Sequence, residues 1–157
     1  MRRILIALGA VFALIQLIPV DRSNPPAVPE NDFLVQTKAP ENIAQIMKTA
    51  CYDCHSNQTV YPWYSYIAPV SFWLKNHINE GRGELNFSEW NAMSAKEKSH
   101  AMKEAAEMVK EGEMPMNSYT WVHKDARLTI QQQEQLAAWF SQVRGGGAET
   151  EIESHRD

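Results

Sequence analysis

The sequence predicts an all-α domain over residues 33–144, and three observations predict it. Apolar residues recur at helical spacing in four separate stretches. No stretch alternates as a strand does, and helix-starting and helix-stopping residues stand where the spacing begins and ends. The chain has 157 residues, 44% hydrophobic and 22% charged, which is globular composition and excludes a disordered chain or a fibrous rod. With 15 Lys+Arg against 19 Asp+Glu, its net charge is −4, which argues against nucleic-acid binding. Five Trp, five Tyr and seven Met are many for this length.

In chain order, residues 1–20 come first. Met1-Arg2-Arg3 precedes an apolar run from Ile4 to Ile18 that only Gln16 interrupts. Positive charge followed by such a run is the pattern of a signal peptide or membrane anchor. A spanning helix needs about 20 apolar residues, so the run is marginal for crossing. Ile18-Pro19-Val20 offers no small-x-small cleavage site, which favours an uncleaved signal-anchor. The Arg pair stays on the cytoplasmic side, which places the rest of the chain on the periplasmic side of the membrane. Residues 21–32 form a Pro-rich linker, with Pro25, Pro26 and Pro29 after Pro19, expected to act as a semi-rigid spacer holding the domain off the bilayer.

The first domain helix follows Pro40, where Ile43, Ile46, Met47 and Ala50 share a face. The second starts at Pro69, a residue suited to a first turn, and places Val70, Trp73, Leu74 and His77 together. Ser94 and Glu97 form a capping-box pattern that opens the third. Ala101, Ala105, Met108 and Val109 are its inner face, and Gly112 ends it. The fourth begins at Thr129, with Gln132 as box partner, and carries Leu136, Trp139, Phe140 and Val143. Gly145-Gly146-Gly147 is the expected stop, leaving 145–157 as a disordered polar tail.

Both cysteines lie in Cys51-Tyr52-Asp53-Cys54-His55, directly after the first domain helix. This C-x-x-C-H spacing is that of c-type haem attachment. Two thiols three positions apart reach the two vinyl groups of one porphyrin, and the next residue, His55, supplies the proximal imidazole to the iron. A zinc site would require a second ligand pair, and a thioredoxin-like redox pair would require a βαβ context; the sequence has neither. Cys51, Cys54 and His55 are therefore the expected cofactor-binding residues for a covalent haem c.

The distal side of the iron calls for a Met or His far downstream. Gly112-Glu113-Met114-Pro115-Met116 lies in a loop between the third and fourth helices, and Met114 is the first choice, because the following proline stiffens the loop. Met116, His77 and His123 are the alternatives. The aromatic residues Tyr61, Trp63, Tyr64, Tyr66, Phe72 and Trp73 are expected to cover the porphyrin, and Arg82 and Arg127 to pair with its propionates.

These segments together resemble a bacterial family of small exported haem-binding domains. The resemblance covers roughly residues 35–143 and is carried by the C-x-x-C-H pentapeptide with Ser56-Asn57, by Tyr61-Pro62-Trp63-Tyr64 and by Ile67-Ala68-Pro69-Val70-Ser71. It continues through His77-Ile78-Asn79-Glu80-Gly81-Arg82, Leu85-Asn86-Phe87-Ser88-Glu89-Trp90 and Gly112-Glu113-Met114-Pro115. It implies a haem c on Cys51 and Cys54 with His55 as ligand. The order of helix, C-x-x-C-H, Met-Pro loop and last helix is similar to the layout of class I cytochromes c. The expected function is electron transfer with exported redox partner proteins, as a carrier rather than an enzyme, tethered to the membrane by its N-terminal segment. The rival readings are a haem enzyme or a gas or redox sensor with an open distal position, and a haem-bearing interaction module.

Overall fold

The computed structural model describes residues 1–154 and the side chains of residues 1–145. Eight α-helices appear among them: α1 (Arg2–Ile15), α2 (Phe33–Gln36), α3 (Glu41–Ala50), α4 (Tyr52–His55), α5 (Val70–Glu84), α6 (Ala95–Lys110), α7 (Asn117–Val122) and α8 (Ile130–Ser154). Short 3₁₀ turns fill several connections, the longest at Phe87–Ala92, and the described residues contain no strand. The domain is all-α, and α3, α5, α6 and α8 are its four expected helices.

Two of those helices start as their side chains dictate. Ser94 Oγ accepts from the Glu97 N–H, and the Glu97 carboxylate accepts from the Ser94 N–H at 2.8 Å, a complete capping box. Gln132 Oε1 accepts from the Thr129 N–H at 2.9 Å in the same way before α8. The end of α6 is set by Gly112, whose φ of 73° needs a residue without Cβ. There the Gly112 N–H reaches Val109 O at 3.2 Å and the Glu113 N–H reaches Met108 O at 3.0 Å, the paired bonds of a Schellman stop.

α6 packs along α8, and α3 closes against α8 from the other side. Between them lies a core of Phe33, Met47, Phe87, Trp90, Met102, Leu136 and Phe140. Phe33 is at its centre, fully buried, with ring centroids 5.2 Å from Phe87 and 4.8 Å from Trp90. The Phe33–Trp90 contact is edge-to-face and the Phe33–Phe87 pair is tilted, and such ring contacts add to the burial of large apolar rings.

Four sequence expectations change. α8 does not stop at Gly145 but runs across the three glycines to Ser154. Each glycine weakens a helix by about 1 kcal/mol relative to alanine yet, unlike proline, keeps the N–H that the next turn needs. Of the expected tail, residues 155–157 lie outside the described residues. In α5, Val70 and Trp73 are exposed, and the core side is Ser71, Leu74 and Ile78. On α6, Met102 and Ala106 join Ala101 and Val109 in the core, whereas Ala105 and Met108 are half-buried. The Pro-rich segment does not stand free. Asn24 Nδ2 donates to Thr59 O at 2.9 Å, Asn57 Nδ2 donates to Pro26 O at 3.0 Å, and Arg22 donates to Ser65 O at 3.2 Å. Two of these bonds are donated by side chains of the segment and one is accepted by its backbone, and together they hold it to the domain.

Candidate haem site

The C-x-x-C-H turn follows α3 without a break. The Cys51 N–H still bonds Met47 O at 2.8 Å, and the His55 N–H bonds Cys51 O at 2.9 Å, so α4 is one tight turn at the end of α3. The two residues between the cysteines fasten this turn in opposite directions. Tyr52 is buried, stacks on Phe87 with ring centroids 5.4 Å apart, and donates its hydroxyl to Asp32 Oδ1 at 2.9 Å. Asp53 accepts from the Val60 N–H at 3.0 Å and from the Tyr119 hydroxyl at 2.8 Å. On the far side, α5 approaches so closely that a Cβ on Gly81 would lie 2.9 Å from Cys54 O. Only glycine allows that approach.

His55 Nδ1 lies 3.0 Å from Leu85 O. A carbonyl only accepts, so Nδ1 carries the proton and Nε2 is left with its lone pair. Burial lowers the His55 pKa, which favours the neutral imidazole an iron ligand must be. Burial acts on the thiols as well: the Cys51 pKa is pushed up to about 12 and that of Cys54 to about 11, both chiefly by desolvation. Both cysteines are free. A thioredoxin-like pair depends on a lowered thiol pKa, so these two protonated thiols speak against that chemistry. Among the described residues no three His, Cys, Asp or Glu side chains come together as a metal site, and the zinc alternative finds no ligand set.

Cys51, Cys54 and His55 line a cavity of about 540 Å³. Its wall continues through Gly81, Leu85 and Phe87 to Ala105 and Met108 of α6, and then to Met114, Pro115, Met116 and Tyr119. The half-burial of Ala105 and Met108 fits their place on this wall, where Ala105 also packs against the core. The volume falls within the range of small-molecule and cofactor pockets, and apolar groups dominate the wall. A neutral imidazole with a free Nε2, two thiols one helical turn apart and a thioether-bearing loop around one apolar cavity fit a haem.

The expected residues divide. Met114 is partly buried against the core and lines the cavity, Met116 and His77 line it too, and His123 does not. His77 Nδ1 is bonded to Trp73 O at 2.9 Å and its ring packs on Trp73 at 4.2 Å. His123 is held in a different network, with Nε2 2.6 Å from the Tyr64 hydroxyl and its ring stacked 4.4 Å from Tyr119. None of Tyr61, Trp63, Tyr64, Tyr66, Phe72 or Trp73 lines the cavity; Phe87, Tyr119 and Phe140 are its aromatic residues. The chain after His55 leaves the site and packs against the N-terminal segment instead. Arg82 is also occupied: Nε donates to Ser56 O at 2.8 Å, and Nη2 donates to Asn24 Oδ1 at 2.7 Å and Thr59 Oγ1 at 2.9 Å. It staples the turn and the Pro-rich segment together. Arg127 is exposed and off the cavity, whose rim carries Glu80, Glu84, Glu104, Glu107 and Glu111. Gly81, Leu85 and Tyr119 carried no sequence signal as site residues, because each acts through a neighbour distant in the chain.

Comparison with curated proteins finds no match, and neither does comparison with solved structures. The profile of the haem-binding domain family, in contrast, matches residues 10–142 and so takes in every residue of the cavity wall. The chain belongs to that family and is a haem-binding protein.

Proposed function

We propose that the chain carries its haem covalently, through thioethers from Cys51 and Cys54, that His55 and Met114 would hold its iron, and that it transfers electrons on the outer side of the cytoplasmic membrane. Haem bound there supplies the one-electron chemistry of its iron. The observation that carries the reading is the convergence of Cys51, Cys54, His55 and Met114 on one cavity, although Met114 is remote in the chain from the other three. The Leu85 carbonyl orients the His55 ring and holds its proton on Nδ1. Tyr52 and Asp53 hold the turn, and the Schellman stop at Gly112 aims the Met114 loop. A site held by packed and hydrogen-bonded residues on both sides rearranges little when charge changes, which suits a carrier. The apolar run at the N-terminus and the preceding Arg pair support a membrane tether and exported redox partners.

Acid–acetone extraction and absorption spectroscopy of the purified protein test this. Haem should stay with the polypeptide and leave it in a Cys51→Ala/Cys54→Ala variant. The oxidised protein should show the weak far-red band of an iron–thioether bond, and the reduced protein should bind carbon monoxide slowly or not at all. Prompt carbon monoxide binding without that band would overturn the His/Met assignment and favour a ligand-binding or sensing haem. Extractable haem in the wild type would overturn covalent attachment.

A further inference from the structure

The haem cavity leaves unused an apolar surface formed by α1 and the segment from Trp63 to Trp73. After Arg3, α1 is apolar on every side and none of its residues is buried. A helix apolar all round is stable inside a protein or a bilayer, not in water. Its C-terminal end is clamped to the domain. The Gln16 side chain accepts from the Ala68 N–H at 2.9 Å and donates to Ala68 O at 3.1 Å. Just beyond, the Arg22 guanidinium lies 4.2 Å from the Tyr66 ring centroid, and Asp21 pairs with Lys75 at 3.7 Å. The clamped segment exposes Trp63 at 75%, Tyr66 at 63%, Ile67 at 38%, Val70 at 41% and Trp73 at 43%.

We propose that this Trp63–Trp73 surface seats the domain in the interfacial layer of a lipid bilayer, beside the point where α1 enters it. The inference rests on the membrane-tether reading above and deepens it. Trp and Tyr, with an apolar body and a polar tip, concentrate at the headgroup level of membranes. Length points the same way. No helix among the described residues is long and apolar enough to cross a membrane. α1, at 14 residues, is about 21 Å long against roughly 30 Å of hydrocarbon. A short helix that ends at a rigidly attached aromatic surface gains its remaining apolar burial from that surface. A domain hung on a free spacer would gain none, and the hydrogen-bonded Pro-rich segment is not a free spacer.

The full-length holoprotein should be reconstituted in vesicles of phosphatidylcholine and phosphatidylglycerol doped with a phosphatidylcholine that bears a photoactivatable diazirine near the glycerol end of its acyl chain. Co-flotation with the vesicles, followed by irradiation and peptide mass analysis, should give lipid adducts on α1 and within residues 63–73. An Ile67→Asp/Val70→Asp variant should lose adducts in residues 63–73 roughly fivefold, with the α1 adducts and the haem absorption unchanged. The wild-type adduct map decides the matter even if that variant fails to fold. Adducts on α1 alone would overturn the seat and leave the tether standing. Failure to float would overturn both. Cross-links between two chains through residues 63–73, in place of lipid adducts, would overturn the seat and assign the surface to a second copy.

Discussion

Tyr119 lines the cavity while its hydroxyl holds Asp53, one of the two residues between the cysteines, so a single side chain joins the cavity wall after the Met114 loop to the C-x-x-C-H turn. Tyr119→Phe removes that hydrogen bond together with a longer one to Thr49 O at 3.4 Å, and leaves Asp53 with one fewer donor. Chemical denaturation should show a loss of about 1–2 kcal/mol. Gly81→Ala sets a Cβ against the Cys54 carbonyl, a backbone atom that cannot turn aside. The expected cost is about 1–3 kcal/mol, with less haem attached per chain, read from the ratio of haem to protein absorbance. At Met114, replacement by Ala should open the distal position, abolish the far-red band and speed carbon monoxide binding, while haem stays covalently attached. Met116→Ala should leave all three properties as they are. Cys51, Cys54 and His55 were legible as candidates because the C-x-x-C-H spacing is written in five consecutive residues. Gly81, Leu85 and Tyr119 were not, since a close approach, a carbonyl acceptor and a cross-chain hydroxyl have no local pattern. The same reason explains Arg82, which the sequence offered as a propionate partner and the fold spends on Ser56, Asn24 and Thr59.

Among the elements, α6 shows how much capping can specify. Its start at Ser94 and its stop at Gly112 were both readable, because cap chemistry is local to a few residues. Ser94→Ala removes the Oγ that accepts from the Glu97 N–H and should lower stability by about 1 kcal/mol in denaturant titration. The face of each helix was harder. Spacing identified an apolar stripe on α5 but chose Val70 and Trp73, which the fold leaves outside, over Ser71 and Ile78, which it buries. Apolar periodicity reports that a face is covered without saying by what. On α6, Met108 lines the cavity and Ala105 lies between cavity and core, and in the sequence a cofactor and a core look alike. α8 shows the limit of glycine as punctuation, since it crosses three of them to reach Ser154. Short α7 carried too few residues for periodicity to register.

At the scale of the whole molecule, the cavity is the largest claim on stability. Without a cofactor, an apolar space of about 540 Å³ separates α5 from α6 and the Met114 loop, and its walls lose their contacts. The Cys51→Ala/Cys54→Ala protein, freed of haem, should melt lower than the holoprotein by roughly 10 °C or more in a calorimetric scan. By itself, the sequence determined the all-α class, the positions of the four principal helices, the C-x-x-C-H pentapeptide and the excess of negative charge. All but the charge, which is a sum over the whole chain, follow from residues near one another, where periodicity, capping and motif spacing act. Only the tertiary structure decided which methionines and histidines reach the cavity, which aromatic residues line it, and how the Pro-rich segment is bound to the domain. Those outcomes depend on how α5, α6 and α8 pack, and a packed neighbour's identity is a property of the folded chain rather than of any segment.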